Sequence, residues 1–224
     1  MRSVAIIVGN IIERQMFQHI DVGQTNDVYC FVMIKKIISG GQTGADKAAL
    51  DAAIKLNISH GGWIPKGRIT EDGPLLEKYQ LEEMPTSSYA ERTEQNVIDS
   101  DGTLIVSHGE LTGGSAYTRE LGLEHKKPWL HIDLNKTSIF DAAMKLSEWI
   151  LKNNIEILNV AGPRASKDPR IYKAAKNVIE SAFYMECLNL NAHNLLKVSF
   201  PYFYFRKTFS TAFTISSCDG KYRL

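Results

Sequence analysis

Between Ile34 and about Ser181 the chain repeats one pattern: a short apolar, β-branched run, a loop rich in glycine or polar residues, then a stretch with helical periodicity. The apolar runs predict strands at Ile34–Ile38, Ile58–Ile64, Thr103–Ser107, Trp129–Asp133 and Glu156–Val160. Helices are expected over Ala45–Leu56, Ser115–Lys126, Ser138–Lys152 and Pro169–Phe183, each directly after a strand. Within the third of these, Ile139, Ala143, Leu146 and Ile150 recur at three- to four-residue spacing and give one buried face. Strands alternating with helices require βαβ crossovers. The fold class is therefore α/β, a Rossmann-like three-layer domain around a mostly parallel sheet of about five strands.

Local chemistry marks two helix starts. Ser88-Tyr89-Ala90-Glu91 reads as a capping box opening a helix to Asp99, and Asp168-Pro169 places an N-cap carboxylate before a proline at the first helical position. Between the second strand and the capping box, residues 66–87 lack periodicity and contain Gly67, Gly73, Pro74 and Pro85. This excursion either folds over a ligand or is a plain surface loop. The ends differ from the middle. Residues 1–33 read as an extension outside the native domain, with Met33 as an alternative start, and 34–183 as the phosphate- or nucleotide-binding domain. Residues 184–224, with Phe200-Pro201-Tyr202-Phe203-Tyr204-Phe205, read as a peripheral aromatic tail.

Composition narrows the partners. A chain of 224 residues with 44% hydrophobic and 23% charged positions suits one cored domain plus tails. Its net charge of +1 supplies no general field for nucleic acid or a membrane surface, so any anion site must be local. Cys30, Cys187 and Cys218 show no CxxC or Cys/His spacing, and the six histidines show no HxxxH or HExxH. Neither a disulfide framework nor a protein-bound metal is expected. The apolar run Val4–Val8 is interrupted by Asn10, Glu13 and Arg14 and is followed by no small-x-small cleavage site. With no stretch near the roughly 20 apolar residues of a membrane span, a cytoplasmic protein is expected.

The chemistry concentrates at the predicted strand-to-helix junctions. In Ser39-Gly40-Gly41-Gln42-Thr43-Gly44-Ala45-Asp46 three glycines permit a tight turn and close approach of a ligand to the backbone. Unpaired amides at a helix N-terminus favour an anion, most often phosphate, and Gln42 and Thr43 add side-chain donors. Asp46 either caps the helix or meets a ribose hydroxyl or cation. The GGxxG spacing, with no Gly-Lys-Ser/Thr following, is neither a Walker motif nor the dinucleotide fingerprint.

A second junction, Thr112-Gly113-Gly114-Ser115-Ala116-Tyr117-Thr118-Arg119-Glu120, offers Ser115 and Thr118 as phosphate donors. Its Glu120 is an acid, base or ribose acceptor, or simply an exposed carboxylate. A third, Ala161-Gly162-Pro163-Arg164-Ala165-Ser166-Lys167-Asp168-Pro169, brings Arg164 and Lys167 to the same edge, where Arg68 and Arg92 are expected to join them, since guanidinium forks suit phosphate. Two such loops at strand carboxyl ends are what a ligand crevice at a topological switch point needs.

These blocks, with Gly61-Gly62-Trp63-Ile64-Pro65-Lys66-Gly67-Arg68, resemble the molybdenum cofactor carrier family over roughly Lys35–Glu180. That family is similar to the lysine-decarboxylase-like (LOG) group of Rossmann proteins, which includes nucleotide-monophosphate phosphoribohydrolases and sensors of nucleotide-derived ligands. The resemblance implies a domain, often a homodimer or higher homo-oligomer, binding a phosphorylated pterin or nucleotide across Gly40–Asp46 and Gly113–Thr118. The expected function is carriage of a small phosphorylated ligand, specifically a molybdenum cofactor (molybdopterin). The alternatives are a phosphoribohydrolase, with Glu120 and Arg92 holding the ribose, and a nucleotide sensor. The phosphoribohydrolase loop resembles P-G-G-x-G-T-x-x-E. Here Thr112 replaces the proline, Ala116 the third glycine, and Thr118 sits one position late, while Gly113, Gly114 and Glu120 keep their places. The departures argue against hydrolysis and leave phosphate binding intact.

Overall fold

A computed structural model describes residues 34–196, with side chains through Met185. The expectations for residues 1–33 and for the aromatic run at 200–205 lie outside the described residues. In chain order the elements are β1 (Lys36–Ser39), α1 (Ala45–Lys55), β2 (Ser59–Gly61), β3 (Trp63–Ile64), β4 (Ile69–Thr70), β5 (Gly73–Pro74) and β6 (Glu82–Glu83). There follow α2 (Tyr89–Ile98), β7 (Gly102–Ser107), α3 (Gly113–Glu124), β8 (Trp129–Asp133), α4 (Ile139–Asn153), β9 (Ile157–Ala161) and α5 (Ile171–Leu196).

Five strands form one sheet in the order β2-β1-β9-β7-β8, every neighbouring pair parallel. All six residues of β7 are buried, as a central strand covered on both faces must be. On one face α5 packs against α1 and α4, and on the other α2 packs against α3. The result is the expected three-layer α/β domain. Alanine sets the closeness of the first layer: Ala45, Ala48, Ala49, Ala52 and Ala53 of α1 are all fully buried in the main core. A second, smaller core of Leu50, Ile64, Leu75, Tyr79 and Leu81 lies under the excursion.

The element ends follow chemistry partly legible beforehand. Ser88 Oγ accepts from Glu91 N at 3.3 Å, but the Glu91 carboxylate accepts from Thr86 rather than closing the capping box. Ser138 caps α4 through Asp141 N at 3.1 Å.

Three expectations are corrected. The run Ile58–Ile64 is not one strand, because Gly62, at φ +115°, turns the chain out of the main sheet. Beyond it Trp63 bonds the side chain of the buried Asn96, which accepts from Trp63 N at 2.8 Å and donates to Trp63 O at 3.1 Å. The last helix starts at Ile171 rather than Pro169, since Asp168 accepts from Arg170 N and forms a turn instead of a cap. That helix also runs on to Leu196 rather than ending at Phe183.

Candidate functional site

The strand order determines where the glycine loops meet. β1, β9 and β7 are neighbours, so the loops leaving their carboxyl ends, at 40–44, 162–170 and 108–112, share one edge of the sheet. The glycines let these loops press backbone to backbone. A Cβ on Gly44, which sits at φ +78°, would lie 2.3 Å from Pro163 O, and one on Gly162 would lie 2.5 Å from Val106 O. Ala45 N donates to Pro163 O, and Ala165 N to Thr43 Oγ1.

The first loop is not the open amide cradle its glycines suggest. Gly41 N donates to Ser39 Oγ, Gln42 N to Asp46 Oδ2 and Thr43 N to Gln42 Oε1. Asp46, buried at 6% exposure, places its own carboxyl at the start of α1. Burial pushes its carboxyl above the usual range, against the pull of Arg92. Gln42 and Thr43 likewise serve the chain: Gln42 Oε1 accepts from Glu71 N at 2.9 Å, and Thr43 Oγ1 donates to Glu71 Oε2.

The positive charge gathers around Arg92. Its guanidinium lies against Gly40, where a Cβ would fall 1.5 Å from Nη1, and stands 3.6 Å from Asp46 Oδ2. The residue is 9% exposed, and its Nε has no hydrogen-bond partner. Burial, opposed by Asp46 and reinforced by Arg164, lowers its affinity for the proton. Arg92 and Arg164 both sit over the ring of the exposed Tyr89, at 5.9 and 4.9 Å from its centre, a cation–π arrangement shared by two cations. Arg164 stands 3.9 Å from Glu71.

Arg68 is used elsewhere. Its guanidinium donates to the carbonyls of Leu75, Leu76, Tyr79 and Leu81, so it pins the excursion rather than facing the Arg92 pair. The excursion does fold over the first glycine loop, by way of Glu71. Ser166 Oγ of the third loop also donates to Glu71.

At the second loop the donors are open. Thr112, Gly113 and Gly114 are exposed, Thr112 makes no side-chain cap, and among the described residues the amides of Gly113 and Gly114 make no hydrogen bond. Ser115 is buried and its Oγ is likewise without a partner. Thr118 is not such a donor, because its hydroxyl bonds back to Gly114 O at 2.8 Å. Glu120 is exposed and forms no ion pair with Arg92. His108 Nδ1 meets Asp168 Oδ2 at 2.5 Å, joining the second loop to the third. Asp133 accepts from Gly109 N and Asn135 N, bonds that hold its carboxyl below the usual range and fix the second loop from β8.

The structure therefore brings together Gly40, Thr43, Asp46, Arg92 and Arg164, with Gly113–Ser115 at the end of neighbouring β7. Glu71, Tyr89, Ser166 and the His108–Asp168 pair complete this edge and were not singled out from the sequence as site residues. Their partners are distant in the chain, so no local spacing marks them. Among the described residues no cluster of His, Cys, Asp or Glu is arranged to hold a metal, and no helix is long and apolar enough to cross a membrane.

No curated protein matches the chain. Among solved structures, a crystal structure from Syntrophus aciditrophicus SB, of a protein that carries the name molybdenum carrier protein, is 59% identical. The match has a TM-score of 0.66 and covers 67% of this chain and 95% of that one. Residues 37–183, the greater part of the chain and all three glycine loops, match the circularly permutated YpsA SLOG family. The chain belongs to that family.

Proposed function

We propose that this protein binds a small phosphorylated molecule across the edge formed by its three loops, with a molybdenum cofactor of the molybdopterin type as its cargo. The observation that carries the reading is Arg92. A buried guanidinium is costly unless charge and hydrogen bonds compensate it, yet among the described residues Arg92 has a single carboxylate at 3.6 Å and an unpartnered Nε. A phosphate supplies the missing acceptors. Arg164 adds a second fork from the third loop, and the free amides of Gly113 and Gly114 with Ser115 Oγ offer donors to another polar part of an extended ligand. The name of the Syntrophus protein supports the choice of cargo. Carriage is favoured over cleavage because the second loop departs from the phosphoribohydrolase pattern at Thr112, Ala116 and Thr118. The proposal extends to a homo-oligomer in the cytoplasm.

Arg164→Ala tests this reading without disturbing the core, since that side chain is 42% exposed. A charge-assisted hydrogen bond is worth about 1.5–3 kcal/mol, so calorimetric titration with adenosine monophosphate or inorganic phosphate is expected to show affinity lowered about tenfold or more. Equal affinity in the variant and the parent would remove Arg164 from the site.

A further inference from the structure

The donors that face the excursion already hold an anion, and it belongs to the chain. The Glu71 carboxylate accepts from Thr43 Oγ1 of the first loop and Ser166 Oγ of the third, with the Arg164 guanidinium 3.9 Å away. Two hydroxyls and a guanidinium converging from separate loops are the donor set that a tetrahedral oxyanion requires. Hydrogen bonds from Ser166 and Thr43 hold the Glu71 carboxyl below its usual range, so it is an anion at neutral pH. We propose that Glu71 occupies the oxyanion subsite of this edge and that a ligand's phosphate or molybdate-like oxyanion displaces it, making the hairpin that carries it a latch. The proposal rests on the reading that the Arg92 and Arg164 edge binds an oxyanion.

Charge balance and chain geometry both support exchange. Glu71 is the carboxylate that Arg164 faces, at 3.9 Å, so an incoming anion at the same donors meets a like charge unless Glu71 leaves. Asp46 is buried at the start of α1, whereas Glu71 lies at the tip of the β4–β5 hairpin. Those strands have two residues each and pair only with one another, and a hairpin of that size has little stability of its own. Gly67 at φ +84° and Gly73 at φ +98° give its backbone freedom to swing. The Arg68 carbonyl bonds keep residues 75–81 in place while the tip moves.

The test titrates inorganic phosphate and molybdate into the full chain and its Glu71→Ala and Glu71→Gln variants, and follows hydrogen exchange at residues 69–73. Removing the competing carboxylate is expected to tighten phosphate binding about tenfold in Glu71→Ala, a change of about 1.4 kcal/mol, with Glu71→Gln between it and the parent. Saturating phosphate is expected to speed exchange across the hairpin of the parent. Unchanged or weaker binding in Glu71→Ala, with the parent still binding, would overturn the latch and leave the oxyanion reading standing. Failure of both parent and variants to bind either anion would overturn the two together.

Discussion

Replacing Gly44 with alanine is expected to cost about 3–5 kcal/mol of folding stability, a large share of what a domain of this size possesses. Two effects add. Gly44 sits at φ +78°, ψ −125°, where a residue with a Cβ is strained by about 1–3 kcal/mol. The new methyl would also stand 2.3 Å from Pro163 O and 2.8 Å from Ala165 N, backbone atoms that retreat only if the third loop leaves the first. Overpacking of that kind adds about 1–3 kcal/mol. Chemical denaturation read by circular dichroism measures the loss. A cost under about 1 kcal/mol would mean that the loops are not pressed together at this point.

Asp46→Ala and Arg92→Met are each expected to destabilise the protein by about 3–5 kcal/mol, because each leaves a buried charge without its partner. The double variant should lose far less than the sum, since it buries neither charge, and the excess gives the coupling directly. The binding readout separates the roles. Every variant without Arg92 is expected to lose phosphate binding, including the double variant, whose stability loss falls short of the sum. Simple additivity of the two stability losses would show that Arg92 and Asp46 do not act as a pair.

The alternation of strands and helices was readable because it rests on local patterns: β-branched runs, apolar residues at helical spacing, and the serine that caps α2. Even the meeting of the glycine loops followed from parallel topology. What escaped the sequence rests on contacts between distant polar residues. Nothing around Asn96 marks it as the partner of Trp63, and nothing in the excursion marks Glu71 as the residue that bonds Thr43 and Ser166. His108 and Asp168 stand 60 residues apart, and nothing local marks them as partners: Asp168 reads from the sequence as a helix cap. Gly40–Gly44 misled for a related reason. The sequence shows that its amides can reach an anion, but not that Asp46 and Gln42 fold back to satisfy them.

The central claim, that the Arg92 and Arg164 edge holds a phosphorylated molecule, is tested most directly by mass spectrometry of the protein as purified, first under native conditions and then after acid release. The expected result is a bound, phosphate-bearing molecule, a molybdopterin if the cargo assignment is right, whose level falls sharply in Arg164→Ala. A parent protein that travels without any phosphorylated adduct, and whose melting temperature no phosphorylated compound raises, would contradict it.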